Sequence, residues 1–407
     1  MTVQTRLPAL LPGIPVGDFA AAAPPHALLA PGELLLADVT PGRTVGLTEH
    51  LRRWGQAPTP GLPGLVAAAQ REGLVGAGGA AFPTARKLHS VAVTRPGPVI
   101  VNGSEGESAS GKDTVLLDHV PHLVLDGAVM AAQALGSNRV IVRVPATRVK
   151  VIATLNAAIS ERRHAGLRIS ISPGEDTFIA GEATAVISSL ERRPAAPAPL
   201  GKPPTMRVGL RRQPVMLSNV ETFARLAVAA RGFSARSSLL TISGAVVKAG
   251  VLEVPVDTAL GHILDISGAD PDLAAVITGG WHGTWLPASE QVLSTAVNRE
   301  ALREVGGRWG AGAFVAIPRD PCPVDVLRAV TDYLVGEGAR QCGPCILGLD
   351  AAREDLHAAR PVVDRVQGRG LCAHPTATIA AIQSGQALLG GEIALHAAGY
   401  CTIGGAR

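Results

Sequence analysis

The sequence predicts an α/β protein in three units behind an N-terminal extension of residues 1–60: an α/β domain over 61–235, a β-grasp module over 236–310 and a helical bundle over 311–407. Three observations carry the architecture. From about residue 60 to 235, strand-like apolar runs alternate with helical patterns, the signature of a largely parallel sheet covered by helices. Over the next stretch, two strand-like runs flank a "KAG" turn, then a helical and another strand-like run follow. From about residue 320 to the end the apolar spacing is helical. A chain of 407 residues with 47% hydrophobic and 17% charged residues has the length for several domains and the apolar content for a large core.

Taken in order, residues 1 to about 60 are rich in Pro, Ala and Leu without periodicity, and "APTPGLPG" reads as a linker into a helix at "LVAAAQREGL". "GPVIVNGSE" is a strand ending in glycine and polar residues. "DTVLLDHVPHLVLDGAVMAAQALG" is helical, broken at Pro121 and closed by Gly136. "RVIVRVP" and "LRISISPG" are further strands. "LLTISGAVVKAGVLEVPVDTALGHILDIS" gives two strands and a helix opened by Asp257, and "AAVITGG" a third strand. "PVDVLRAVTDYLVGEGA", "ILGLDAAREDLHAA" and "TATIAAIQSGQALLG" are the helices of the bundle.

Composition excludes several classes of function. A net charge of +4 without a basic stripe, and 3% aromatic residues, argue against nucleic acid as a partner. No apolar run approaches the roughly 20 residues of a membrane span, so direct membrane insertion is not expected. The N-terminus "MTVQTRLPALLPGIPVG" is a poor secretory signal. Five widely spaced cysteines do not form an extracellular disulfide framework, and the chain reads as cytoplasmic.

Four polar stretches stand out. "GLVGAGGAAFPTARKL" is the densest glycine loop, with Gly73, Gly76, Gly78 and Gly79. Its amides suit a phosphate nest, to which Lys87 adds charge, and they equally suit a structural turn. "VNGSEGESASGKD" places Asn102, Glu105, Glu107, Lys112 and Asp113 at the carboxyl end of a strand, where α/β sheets bind ligands; a solvated loop has the same composition. "FIAGEATAVISSLERR" sets Gly181 and Glu182 before a helix. "SNVETFARL" offers Ser218 or Asn219 as an N-cap, with Glu221 and Thr222 in the first turn. Late in the chain, "ARQCGPCILGL" carries Cys342 and Cys345 in C-x-x-C spacing, and "RGLCAHP" carries Cys372. Zinc, a redox dithiol and an iron–sulfur cluster all suit such a set.

In their order, these stretches resemble the NADH-binding flavoprotein subunit of respiratory complex I and the diaphorase subunits of NAD-linked hydrogenases and formate dehydrogenases. "SGAVVKAGVLEVP" and "GGWHGTWLP" resemble that family's β-grasp segment, and "CGPCILG" with "LCAHP" its iron–sulfur bundle, so the resemblance spans roughly residues 60 to 395. It implies FMN held by Gly76, Gly78, Gly79 and Lys87, with Asn102 facing the flavin. Phe82 and Glu107 would lie towards NADH, and Gly181, Glu182, Asn219 and Thr222 would complete the flavin site. Hydride transfer from nicotinamide to flavin needs no side-chain acid or base, so Glu105 and Glu107 are positioning residues.

The chain departs from the family at three places. Gly-Arg-Gly-Gly becomes Gly76-Ala77-Gly78-Gly79, Asn-Ala-Asp-Glu becomes Asn102-Gly103-Ser104-Glu105, and Tyr-x-Cys-Gly-Glu-Glu becomes Phe178-Ile179-Ala180-Gly181-Glu182-Ala183. In the cluster motif, Ala339 stands at the first cysteine position, and Cys342, Cys345 and Cys372 match the other three. The resemblance therefore implies a 4Fe–4S cluster with an atypical fourth ligand: Cys322, Cys401, His374, a carboxylate or water. Cys322 and Cys401 read as inert buried or tail cysteines rather than ligands, and His374 as a residue beside the site. The implied activity is an FMN-dependent NADH dehydrogenase (diaphorase) subunit passing single electrons to a ferredoxin or another iron–sulfur subunit. The three departures favour the alternative, a relay or scaffold subunit that has lost flavin or nucleotide binding.

Overall fold

A computed structural model describes residues 27–30, 32–37, 39–92, 96–162, 166–199, 209–354, 359–403 and 405–406. The N-terminal segment read as a poor secretory signal lies outside the described residues, as does the GKPPTMRV part of the stretch preceding Asn219.

The first unit is a four-stranded parallel sheet in the order β3-β2-β1-β4, built from β1 (Val99–Asn102), β2 (Arg139–Pro145), β3 (Arg168–Gly174) and β4 (Met216–Asn219). Strands β1 and β4 are apolar at consecutive positions because both faces of the sheet are covered. Val99, Val101 and Met216 face one core, with helices α2 (Gly61–Arg71), α5 (Pro121–Leu135) and α8 (Val220–Ala230). Ile100 and Leu217 face the other, with Val186 and Ile187 of α7 (Ala183–Leu190). Helix α5 is buried along nearly its whole length and ends on Gly136, whose φ of 73° closes it in the left-handed region. It approaches α8 so closely that a Cβ on Gly127 would overlap the Phe223 carbonyl. Helix α4 (Lys112–His119) precedes α5 at a bend of 96°; no single described helix is long and apolar enough to cross a membrane.

Part of the expected extension joins this core. Leu28, Leu35, Leu36 and Val39 are buried, and Glu253 accepts the amides of Leu34, Leu35 and Leu36 at 3.1, 2.9 and 2.9 Å. Helix α1 (Leu47–Trp54) docks on α5 through the buried pair His50 Nε2–Asp126 Oδ2 at 2.9 Å. Arg162 and Arg231 close on the same carboxylate and, with His50, hold Asp126 well below the ordinary carboxylate range, against the opposing effect of burial.

The second sheet is mixed, in the order β6-β5-β9-β7-β8. Its strands are β5 (Ser238–Gly244), β6 (Gly250–Val254), β7 (Leu273–Thr278), β8 (Thr284–Pro287) and β9 (Ala313–Pro318). Helix α9 (Leu260–Ile266) follows β6; its N-cap is Ala259, not the expected Asp257. Strand β9 is central, pairing parallel with β5 and antiparallel with β7, so the expected boundary at 310 falls before a strand that this sheet needs. The sheet ends at Pro318.

The remaining described elements are α12 (Pro323–Gly336), a π turn at Pro344–Gly348, α13 (Leu349–Glu354), α14 (Ala359–Val366), α15 (His374–Ala397) and a short hairpin, β10 (Tyr400–Cys401) with β11 (Gly405–Ala406). Elsewhere along the chain stand α3 (Thr84–Val91), α6 (Val149–Ser160), α10 (Glu290–Leu293) and α11 (Arg299–Glu304).

Candidate functional site

The glycine loop runs from α2 to α3. It is closed by Gly76 N donating to Phe82 O at 2.9 Å and anchored by Ala77 N donating to Thr222 Oγ1 at 3.0 Å. Gly79, at φ 100°, takes a conformation that side chains disfavour. The amides of Gly78 and Gly79 donate to no described residue. A Cβ on Gly78 would sit 3.6 Å from Asn219 Cβ, and one on Gly79 would sit 4.0 Å from Gly310. The loop therefore spans from the carboxyl end of β4 to the turn that leads into β9. Lys87 of α3 lies behind it, with Nζ donating to Leu217 O at 2.9 Å, and burial lowers its pKa to about 8. Phe82 lies beneath Arg86 and Lys87, 5.7 and 6.0 Å from its ring centre.

Asn102 and Asn219 are register partners at the carboxyl ends of adjacent parallel strands. Asn102 Nδ2 donates to Gly181 O at 2.8 Å, and its Oδ1 accepts the Ser104 amide at 3.2 Å. Asn219 Oδ1 accepts the Glu221 amide at 3.0 Å, capping α8, and also accepts from Lys112 Nζ at 3.1 Å. Glu105 is buried and bound to the start of α4, accepting the amides of Asp113 and Thr114 at 2.9 and 3.0 Å and the Ser110 hydroxyl at 2.8 Å. Such use of a carboxylate at a helix N-terminus satisfies donors that the helix itself cannot.

Lys112 is the hub of this floor. It is 1% exposed, with Nζ 2.7 Å from Asp113 Oδ1 and 3.0 Å from Glu221 Oε2. Burial alone would depress its pKa, but Asp113, Glu221 and Glu105 outweigh it and hold the ammonium charged. Burial raises Asp113 to about 7 against the pull of Lys112. Glu221 stays low despite burial, through Lys112 and Arg225, whose Nε donates to it at 2.7 Å. The polar run after β1 is thus a buried ion network binding the ends of β1 and β4 to α4 and α8.

Glu107 reaches the other way, to the second sheet. Its Oε2 accepts the Trp281 amide at 3.0 Å and its Oε1 the Ala109 amide at 3.1 Å. Gly280, at φ 87°, makes this approach possible, since a Cβ there would collide with the carboxylate. Burial raises the Glu107 pKa to about 7, partly offset by the two amides. Trp281 Nε1 also donates to Ser108 Oγ at 2.8 Å. No local pattern announces this clamp, because the tryptophan lies 174 residues beyond its partner.

The turn Phe178–Gly181 faces two regions. Gly181 has no room for a Cβ against the Ser104 carbonyl. Glu182 caps α7, accepting the amides of Thr184 and Ala185 at 2.8 and 3.1 Å. Phe178 meets His282, His374 and Tyr333 edge-on, at ring separations of 4.7, 5.7 and 6.3 Å, and its amide donates to Glu337 Oε2 at 2.7 Å. His374, whose pKa burial depresses, pairs through Nε2 with Leu334 O at 2.8 Å and opens α15. His374 is thereby part of the aromatic contact between the turn and the cysteine region.

Cys345 is buried in the π turn and its Sγ accepts the Arg340 amide at 3.2 Å. A Cβ on Gly338 would press on that sulfur at 2.6 Å. Cys342 packs half-buried on the same apolar cluster as Cys345, and Cys372 lies buried just before α15. Burial raises the Cys372 thiol, and the nearby Cys345 and Cys342 raise it further. These three thiols form one neighbourhood. Cys322 and Cys401 belong to a different apolar cluster, packed against the second sheet.

The arrangement fits the groups that the sequence resemblance implies. Two unused loop amides and a buried Ser104 Oγ without a partner among the described residues line the carboxyl end of the parallel sheet, as an anionic cofactor requires. Three clustered thiols and an N–H···S bond suit a thiolate-held metal group.

Comparison with known proteins agrees. Residues 69–228 match the Nuo51 FMN-binding domain. An NADH-quinone oxidoreductase subunit of Rhizobium meliloti (strain 1021) is 29% identical over 316 residues, covering 70% of this chain and 74% of that protein. The NADP-reducing hydrogenase subunit HndC of Solidesulfovibrio fructosivorans is 29% identical over 332 residues, covering 74% and 65%. The crystal structure of an NAD+-reducing NiFe hydrogenase in the air-oxidised state superposes with a TM-score of 0.72 at 24% identity, over 84% of this chain and 65% of that one. That last likeness is one of fold, and the chain spans about two thirds of that hydrogenase chain and of HndC.

Proposed function

We propose, for a chain whose residues 69–228 match the Nuo51 FMN-binding domain, that it is an FMN-dependent NADH dehydrogenase (diaphorase) subunit. The observation that carries this reading is the convergence of the Gly76–Gly79 loop, Asn102, Ser104 and Asn219 at the carboxyl end of β1 and β4. FMN held there would supply the chemistry that links a two-electron hydride donor, NADH, to one-electron carriers.

In this reading Gly78 and Gly79 offer backbone amides to the cofactor phosphate. Lys87 stiffens the wall behind them and adds positive potential. Asn102 and Gly181 would border the flavin, and Asn219 and Thr222 fix the loop from below. Glu107 holds the glycine turn at 279–281 against the strand-end loop, so it positions and does not transfer a proton. Phe82 lies on the outer side, toward the nucleotide.

The order of units is the α/β domain, a β-grasp module running to Pro318, and a helical region with an iron–sulfur site held by Cys342, Cys345 and Cys372. With Ala339 at the first cysteine position, a 4Fe–4S cluster held there would draw three thiolates from Cys342, Cys345 and Cys372. The Phe178–His374 contact packs the turn that borders the flavin site against the cysteine region. Electrons leave to a ferredoxin or another iron–sulfur subunit in the cytoplasm.

The second reading is a relay or scaffold subunit without flavin. Ala77, Ser104 and Ala180 favour it, and so does the engagement of Glu105 and Glu182 at helix N-termini. Purification under anaerobic conditions separates the two. The proposal expects FMN in the protein as isolated or after reconstitution; a folded chain that takes up no added FMN overturns it and leaves the scaffold reading.

A further inference from the structure

All five cysteines of the chain lie between positions 322 and 401, and the fold divides them into three and two. The pair Cys322 and Cys401 stands with Glu392 and His396, and one ligand atom from each of the four lies within 4.8 Å of all the others. Cys322 caps the start of α12, Glu392 and His396 are one turn apart near the end of α15, and Cys401 sits in β10. Side-chain exposure is 1% for His396 and 15% for Glu392, and both cysteines are buried.

We infer that Cys322, Glu392, His396 and Cys401 form a zinc site that staples the C-terminal tail to the end of α15 and the start of α12. The chemistry of the donors selects the ion: two thiols, an imidazole and a carboxylate are the ligand types of a closed, four-coordinate structural zinc. The geometry agrees. Tetrahedral zinc, with bonds of about 2.3 Å to sulfur and about 2.0–2.2 Å to nitrogen or oxygen, places its ligand atoms roughly 3.3–3.8 Å apart. Cys322 Sγ lies 3.4 Å from His396 Nε2, and His396 Nε2 lies 3.3 Å from Glu392 Oε1.

The surroundings hold these donors in place. The Thr402 amide and hydroxyl donate to the two oxygens of Glu392 at 2.8 and 2.7 Å, fixing the carboxylate against the hairpin. The amides of Asp325 and Val326 donate to the Cys322 carbonyl at 2.9 and 3.2 Å, fixing Cys322 at the start of α12. In the last turn of α15 and the two-residue strand β10, Leu395 and Tyr400 stay exposed, so little apolar packing beyond Cys401 holds the tail. A metal ion supplies the cross-link that such a tail otherwise lacks.

The test is metal analysis of the full-length chain, dialysed against a weak chelator, with cobalt substitution as the optical probe. About one zinc per chain is expected, together with the ligand-field and thiolate charge-transfer absorption of tetrahedral cobalt. Cys322→Ser, Cys401→Ser and His396→Asn each lose both signals, while Cys342→Ser keeps them. The inference is overturned by a folded wild-type chain that binds neither ion under reducing conditions. Zinc retained in folded His396→Asn, or a Cys322–Cys401 disulfide in the reduced-buffer preparation, overturns it equally. His396→Asn serves where a cysteine variant does not fold. Iron and flavin, measured on the same samples, report on the proposed redox function and leave this result independent of it.

Discussion

At the scale of single residues, the site is built from side chains whose hydrogen bonds are mostly made to the protein itself. Lys87 is the exception in charge: Nζ has one short bond to Leu217 O and retains donors for an anion. Lys87→Ala is expected to weaken FMN retention by about 1.5–3 kcal/mol, the worth of one charged hydrogen bond, with circular dichroism unchanged. Equal FMN affinity in the variant would make the loop a structural turn. Glu107 gives a pH signature. Its folded pKa of about 7 lies above the ordinary 4.5, so the folded state binds more protons between those values and stability falls as pH rises through that window. Urea unfolding of Glu107→Gln at a series of pH values from about 4.5 to about 8 should show a shallower fall than wild type; identical slopes would refute the assignment. At the cysteines, Cys342→Ser is expected to abolish iron–sulfur absorbance, whereas Cys401→Ser should leave it in place. Equal loss in both would move the fourth cluster ligand to the tail.

At the scale of elements, some were legible and some were not, for physical reasons. Helices α4 and α5 were readable because Pro121 and Gly136 mark their ends and the apolar run between them is long. Strands β1 and β2 were readable because strands buried on both faces need unbroken Val and Ile. Strand β4 was not, since its four residues look like the approach to the α8 cap. Strand β9 was not legible either, because its partners, β5 and β7, lie well before it in the chain. Helix α1 was hidden in a segment without apolar periodicity: its attachment is the buried His50–Asp126 pair, which hydrophobic spacing does not report. Removing that carboxylate leaves Arg162, Arg231 and His50 without their shared partner. Asp126→Ala is expected to cost about 3–5 kcal/mol, measured by urea denaturation. A change below about 1 kcal/mol would show that α1 is held by other contacts.

At the scale of the whole molecule, the glycine loop, the strand-end loop and the paired cysteines were visible in sequence because each is a local run. What joins them was not. The Glu107–Trp281 contact, the Phe178–His374 contact and the Cys322–His396 pair connect residues 74 to about 200 positions apart, and only the fold brings them together. The consequence is a chain in which the carboxyl end of the parallel sheet is tied to the second sheet through Glu107 and Trp281. The central claim is that the Gly76–Gly79 loop and the carboxyl ends of β1 and β4 bind FMN and that NADH reduces it. The most direct measurement is an anaerobic titration of the FMN-reconstituted protein with NADH, followed by absorbance. The account predicts that the flavin bands bleach within the first equivalents of NADH. Flavin that stays oxidised with excess NADH, in protein that dithionite reduces fully, would contradict it.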